Sequence, residues 1–116
     1  MNTKERIDQS EFQRELLFKN RSIDRLFFES KITREQHLHI MDIMDYVSEK
    51  LGLGLGDTVG RQFFESEIYN IVPEKNGDYH FCESIAKCLY EEGQWPEVFE
   101  HLYGDLPKYA YLKNHE

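Results

Sequence analysis

Apolar residues recur at helical spacing in every segment of this chain, and no stretch alternates apolar and polar residues for long enough to require a β-strand. At about 100° per residue, one face of residues 34–51 collects the apolar side chains of Ile40, Ile43, Met44, Val47 and Leu51. Helices with one apolar face become stable when those faces pack together. The sequence therefore predicts an all-α fold, a compact bundle of roughly five to six short helices.

Capping residues, glycines and prolines predict where the helices begin and end. Thr33 and Gln36 form a capping box, which opens a helix that stops at Gly52. The other signals are a capping box of Ser10 with Gln13, a helix start at Asp57 or Thr58, a stop at Pro73, an N-cap at Asp78, a stop at Gly93, a start at Pro96 and a stop at Gly104. We expect a single helical domain, 1–116, with loose ends at 1–9 and 105–116.

The helical stripes also predict the core. The side chains expected to share it are Phe64, Ile68, Ile71, Phe81, Cys82, Ile85 and Leu89.

In the doublets Phe27–Phe28 and Phe63–Phe64, neighbouring rings lie about 100° apart on their helices, so only one ring of each pair can face the core. A second apolar face on so short a chain is most simply buried by self-association.

The acidic balance of the chain argues against several classes of partner. Its formal net charge is −8, whereas binding to nucleic acid or to anionic lipid relies on Lys and Arg. The charge is uneven, because residues 1–34 carry eight basic and six acidic side chains while the rest of the chain carries six and sixteen. We expect no nucleic-acid or membrane partner, and a basic protein is the partner that would complement the acidic C-terminal two-thirds.

Cysteine spacing and hydropathy indicate a reducing compartment. Cys82 and Cys88 are the only cysteines, and on one helix they lie about 9 Å apart along its axis, too far for a disulfide. The apolar run 16–18 is far too short to span a bilayer, and residues 1–10 are polar, unlike a signal peptide. We therefore expect a cytoplasmic protein.

The stretch HLHIMDIMDYV, residues 37–47, raises the question of a metal site. On the predicted helix, His37 lies near the edge of the core face, and an acidic ridge lies opposite that face, formed by Glu35, His39, Asp42, Asp45 and Glu49. His39 and Asp42 are the best metal-ligand candidates, but zinc sites take three or four ligands and the HExxH motif is absent. The pattern favours a solvated acidic face, with no metal and no cofactor.

The remaining motifs do not indicate an enzyme. The loop GLGLGD, residues 52–57, follows a helix and lacks the third glycine of a dinucleotide-binding turn. His80 falls on the other side of its predicted helix from Cys82, so it is not placed to act as the base of a cysteine nucleophile. Trp95 stands at a predicted helix–helix corner, where it is either a packing anchor or an interface hot spot.

A basic and apolar face near the N-terminus is the main candidate for an interface. If residues 10–30 form one helix, Arg14, Arg21 and Arg25 lie within about 40° of one another, beside Leu17, Phe18 and Phe28. Acidic-ridge residues of a neighbouring protomer would then reach this face. The alternative is that Asn20 breaks the helix and scatters the arginines. The predicted interface residues are Arg14, Leu17, Arg21, Arg25, Phe28, Asp42, Asp45 and Trp95.

Two segments of the chain resemble the YhaI-like family of small all-helical proteins from Firmicute bacteria. They are ITREQHLHIMDIMDYVSEKL and ESIAKCLYEEGQWPEVFEHLYG. The similar features are a capped helix ending in SEKL, a helix ending in LYEEG, and a corner with an aromatic and an acidic residue, covering roughly residues 22–104. The resemblance implies a helical fold and homo-oligomers, and it supplies no activity and no catalytic residues.

These features predict a cytoplasmic, non-enzymatic, helical homo-oligomer that acts through protein–protein contacts. The alternative, from another functional class, is a helical protein that binds a small molecule or a metal through the histidine and acidic residues of 35–49. Metal analysis and thermal shifts with divalent ions distinguish the two, because a ligand of the native state raises the melting temperature.

Overall fold

The computed structural model describes the backbone of residues 3–110 and the side chains of residues 6–110. Within that range the chain is all-α, with six α-helices, three short 3-10 turns and no strand. The helices are α1 (Thr3–Lys19), α2 (Ser22–Glu29), α3 (Arg34–Gly52), α4 (Arg61–Ile71), α5 (Tyr79–Glu91) and α6 (Pro96–Tyr103). The 3-10 turns are Gly56–Thr58, Pro73–Lys75 and Pro107–Tyr109. The predicted all-α bundle is confirmed.

All six helices contribute to one hydrophobic core. Helix α5 packs against α2, α4 and α6, and α3 packs against α4 and α6. Of the predicted core residues, those that are fully buried are Phe64, Ile68, Phe81, Cys82, Ile85 and Leu89. Ile71 is only half-buried and packs at the edge of this core. Phe27 and Phe64 are the inward rings of the two aromatic doublets.

The caps of α3 and α5 form as their sequences predict. Thr33 Oγ1 accepts from the backbone N–H of Gln36 at 3.1 Å, and the Gln36 side-chain oxygen accepts from the N–H of Thr33 at 3.0 Å. Asp78 caps α5 by accepting from the N–H of Phe81 at 3.1 Å. Each contact satisfies an N–H group that has no partner inside its own helix.

Two predicted helix starts are wrong. Helix α1 begins at Thr3, so Ser10 lies inside the helix and cannot act as its cap. A Ser or Thr caps a helix only where the preceding backbone is not helical, which a short sequence pattern cannot establish. Helix α4 begins at Arg61, because Asp57 and Thr58 belong to a separate 3-10 turn.

Two contacts join the described ends of the chain to the rest of the bundle. Residues 3–9 are helical, and the Gln9 side chain donates to the Ile32 carbonyl at 3.3 Å. At the other end Tyr109 is 4% exposed, and its hydroxyl donates to the Glu83 carboxylate. The expectation of loose ends at 1–9 and 105–116 stays a prediction, and residues 1–2 and 111–116 lie outside the described part.

A break at Asn20 separates α1 from α2. Its backbone is left-handed, with a φ of 50°, which ends α1 at Lys19 before α2 starts at Ser22. The two helices then pack against each other. Of the two arrangements considered for residues 10–30, the single continuous helix is therefore wrong, and Arg14 does not share a helix face with Arg21 and Arg25.

Candidate functional site

The predicted interface residues are dispersed in the fold. The guanidinium of Arg21 lies 2.7 Å from the carboxylate of Asp24, which is buried, so this arginine is already paired within the chain. Phe28 is half-buried and packs on the core, whereas Arg25 is exposed on α2. Arg14 and Leu17 remain together on the exposed side of α1.

An outer α1 face remains as the apolar surface near the N-terminus. It consists of Ile7, Arg14, Leu17 and Phe18, on the side of the helix away from the core. Ile7 is 54% exposed, Leu17 51% and Phe18 91%. At about 100° per residue, Ile7, Arg14 and Phe18 lie within about 40° of one another and Leu17 lies beside them. Apolar residues that cluster on a surface indicate an interaction site more strongly than isolated ones do.

Arg34, at the start of α3, fixes the orientation of α1. Its guanidinium contacts the carboxylates of Asp8 and Glu15, each at 3.1 Å, and lies 5.1 Å from the ring centroid of Phe12. Hydrogen bonding from Arg34 lowers the pKa of Glu15, so this carboxylate stays charged. With Phe12 turned to the core and held there, the opposite side of α1 must face outward.

The acidic ridge lies on the solvent side of α3. Its five members are exposed, as the helical spacing predicts: Glu35, His39, Asp42, Asp45 and Glu49. The indole N–H of Trp95 donates to Asp45 across a long 3.4 Å, and Trp95 packs at the edge of the core. Trp95 is thus a packing anchor between the ridge and α6. Among the described residues, no group of three His, Cys, Asp or Glu side chains is placed to hold a metal ion.

His37 is half-buried at the core edge of α3, whereas His39 on the acidic ridge is exposed. The His37 ring stacks on Phe12 with centroids 5.6 Å apart and meets the edge of Phe27 at 5.3 Å, which confirms its predicted place at the core edge. Burial lowers the pKa of His37, and the positive charge of Lys19 lowers it further. The folded state therefore favours the neutral imidazole.

This lowered pKa predicts a loss of stability in acid. Below the unfolded imidazole pKa of about 6.5, the unfolded chain binds a proton that folded His37 resists, so the free energy of unfolding falls until the pH reaches the folded pKa. One such group changes stability by at most about 1.4 kcal/mol per pH unit. Urea titrations at pH 7.5 and 5.5 should show a smaller loss in His37→Gln than in the wild type.

Exposed His39 provides the matched control on the same helix. The His39→Gln variant should lose as much stability between the two pH values as the wild type does. An equal loss in all three proteins would show that His37 does not contribute to the acid sensitivity.

The two thiols are not activated for nucleophilic chemistry. Burial raises the pKa of Cys82 to about 12, and burial also raises the pKa of Cys88. Because the thiolate is the reactive form, both groups remain protonated near neutral pH. Both cysteines are free and Cys82 is buried, as the helical spacing predicts, while Cys88 is half-buried.

A cleft between α4, α5 and α6 is the concave site that the sequence did not reveal. It has a volume of about 600 Å³ and is closed on one side by the Pro107–Tyr109 turn. Its charged and polar lining comes from four separate segments: Arg61 and Glu65 on α4, His80 and Glu83 on α5, Tyr103 on α6, and Lys108 in the turn. The sequence contained one sign of this cleft. The aromatic and apolar residues after Leu106 favour a chain end that packs on the bundle, where it can form a wall of the cleft.

No family model, curated protein or solved structure matches the chain. The resemblance to the YhaI-like family therefore stays a prediction from its motifs. Among the helices of residues 3–110, none combines the length and the apolar character that crossing a bilayer requires.

Proposed function

We propose that this protein is a non-enzymatic homo-oligomer that acts through protein–protein contacts, and that the outer α1 face joins one copy to the next. The observation that carries the proposal is the exposure of two adjacent apolar side chains, with Phe18 91% and Leu17 51% exposed. Phe12 and Leu16 on the same helix already bury its core-facing side. Helix α1 thus has a second apolar side, which a neighbouring copy can cover.

The size of this surface supports a contact of moderate strength. Burying an apolar side chain from full exposure contributes about 1.5–3 kcal/mol, and a two-fold contact uses each residue twice. Association itself costs about 4–15 kcal/mol in lost freedom of motion. Scaled by their exposed fractions, Ile7, Leu17 and Phe18 of two copies contribute about 6–12 kcal/mol. This sum exceeds the lower part of the range for the cost of association, so we expect a reversible contact that forms within the micromolar range.

Charge would orient the contact. Arg14 and Lys19 are exposed beside the apolar residues of the outer α1 face, and the acidic ridge of α3 is exposed. Attraction between the basic side of one copy and the ridge of the next would set register and speed encounter, while the apolar residues supply most of the affinity. The same ridge is the surface that a basic partner protein would contact.

The test is the solution mass of the double variant Leu17→Asp, Phe18→Asp. Two carboxylates on the outer α1 face oppose burial, so the variant should be monomeric where the wild type is oligomeric, as measured by light scattering coupled to gel filtration. Both side chains are exposed, so circular dichroism should show an unchanged helix content.

Leu53→Asp is the matched control, because Leu53 is 64% exposed but lies after α3, away from α1. This variant should keep the wild-type mass. A wild-type oligomer that survives the double substitution on α1 would place the contact elsewhere. Dissociation by Leu53→Asp alone would place the contact at the loop after α3.

A further inference from the structure

Of the carboxylates that line the cleft, the one on Glu65 has no ion-pair partner among the described residues. Arg61 lies 2.6 Å from the carboxylate of Asp105, and Lys108 lies 2.6 Å from that of Glu83. Each permanent cation at the cleft therefore has its own carboxylate. Glu65 is half-buried on α4 and forms no ion pair with any residue whose side chain the structure describes. Counting Asp105, and leaving the His80 imidazole at the cleft uncharged, three carboxylates face two permanent cations, so the formal charge left over is negative.

Tyr103 belongs to the wall of the same cleft and carries an unpartnered hydroxyl whose oxygen is itself buried. The residue lines the cleft and is 2% exposed, and its hydroxyl has no hydrogen-bond partner among the described residues. Burial raises the pKa of Tyr103, and the nearby Cys82, Glu65 and Glu83 raise it further, so the hydroxyl keeps its proton. A buried polar group without a partner is uncommon and destabilising, and a bound donor would give the hydroxyl oxygen a partner.

The rest of the cleft is mainly apolar. Tyr79 is 56% exposed at its edge, and Leu106 and Pro107 form part of the wall. The volume of about 600 Å³ falls within the range of sites for small organic molecules, which combine an apolar lining with a few polar groups.

We propose that the cleft binds a small organic amine, with its ammonium group paired to Glu65 and hydrogen-bonded to the Tyr103 hydroxyl. The apolar body of the amine lies against Tyr79 and Leu106. An ammonium group is a donor only, which suits one carboxylate and one hydroxyl oxygen as acceptors. This site is separate from the outer α1 face and from the acidic ridge, and it stands independently of self-association.

The experiment compares three probes of nearly equal size on the full-length protein: phenethylamine, phenethyl alcohol and phenylpropionate. Each is titrated to about 10 mM and followed by amide chemical shifts in NMR, since molecules this small bind with Kd values of about 1 mM. We expect saturable shifts at Glu65, Glu83 and Tyr103, with the amine binding most tightly and the carboxylate least. No saturable shift from any probe, or tightest binding of the carboxylate, would overturn the proposal.

Substitutions in the cleft distinguish the effect of its charge on amine binding from the effect of its shape. Glu65→Gln keeps the size of the side chain and removes its charge, so it should weaken the amine about tenfold and leave the alcohol unchanged. Tyr103→Phe should weaken the amine by about threefold. Glu67→Gln, on α4 but outside the cleft lining, is the control and should bind as the wild type does. Equal amine affinity in Glu65→Gln and the wild type would contradict the assignment of Glu65.

Discussion

Replacing Phe64 by alanine should lower the free energy of unfolding by about 3–5 kcal/mol. Phe64 is completely buried, and its ring meets Tyr103 edge to face with centroids 6.4 Å apart. The substitution removes apolar burial and leaves a cavity that the packed helices can only partly fill. Because a domain of this kind has about 5–15 kcal/mol of total stability, a large shift in the urea midpoint should follow.

Its neighbour Phe63 provides the control for this prediction. Phe63 is half-buried and rests on Tyr46, with ring centroids 5.7 Å apart, at the edge of the core. Phe63→Ala should cost about 1 kcal/mol, as truncations outside the core commonly do. If Phe63→Ala destabilises the protein more than Phe64→Ala does, the inward ring of the doublet has been assigned wrongly.

Replacing Gly104 by alanine should destabilise the protein by about 1–3 kcal/mol. Gly104 follows α6 with a φ of −64°, so alanine suits its backbone dihedrals. The difficulty is space, since a Cβ at this position would lie 2.4 Å from the carbonyl oxygen of Glu100. Backbone would have to move, and the residue is buried against the end of α6. Thermal unfolding followed by circular dichroism measures the effect.

Gly52→Ala is the matched control at the end of α3. A Cβ there would meet no atom within 4 Å, and its φ is not positive. Alanine should therefore raise stability by about 0.4–1 kcal/mol, because it restricts the unfolded chain. A Gly104→Ala variant as stable as the wild type would show that the end of α6 relaxes at little cost.

Helix caps and helix ends were predicted best where the residues that determine them lie close together in the sequence. The capping box of Thr33 and Gln36, the N-cap Asp78 and the stop at Pro73 all act within one turn of helix. Their residues meet the required geometry whenever the adjoining segment is helical. The inward position of Phe64 followed from the same short-range periodicity.

Predictions failed where the outcome depended on more distant parts of the chain. The Ser10 pattern resembles a cap, but α1 begins at Thr3 and runs through Ser10. Asp8, on the turn before Ser10, pairs with Arg34 at the start of α3. The contact of Tyr109 with Glu83, 26 positions away, likewise could not be predicted from the residues around Tyr109. The residues around Asn20 do not determine whether its backbone adopts the left-handed conformation, so the break between α1 and α2 could not be predicted with the helical spacing.

The candidate surfaces that lie on a single helix could be predicted from the sequence, whereas the cleft formed by several segments could not. The exposed ridge of α3 and the outer α1 face belong to single helices, so a helical wheel could place most of their members. The cleft draws Glu65, Glu83, Tyr103 and Lys108 from four segments. Only the structure shows that Arg61 and Lys108 pair with other carboxylates and leave Glu65 without an ion pair.

The central claim is self-association through the outer α1 face, and the mass of the wild-type protein in solution tests it most directly. Sedimentation equilibrium or light scattering over a series of micromolar concentrations should give a mass of at least two chains. The mass should fall at the lowest concentrations, as expected for a contact formed by Ile7, Leu17 and Phe18. The mass of a single chain at every concentration would contradict the account.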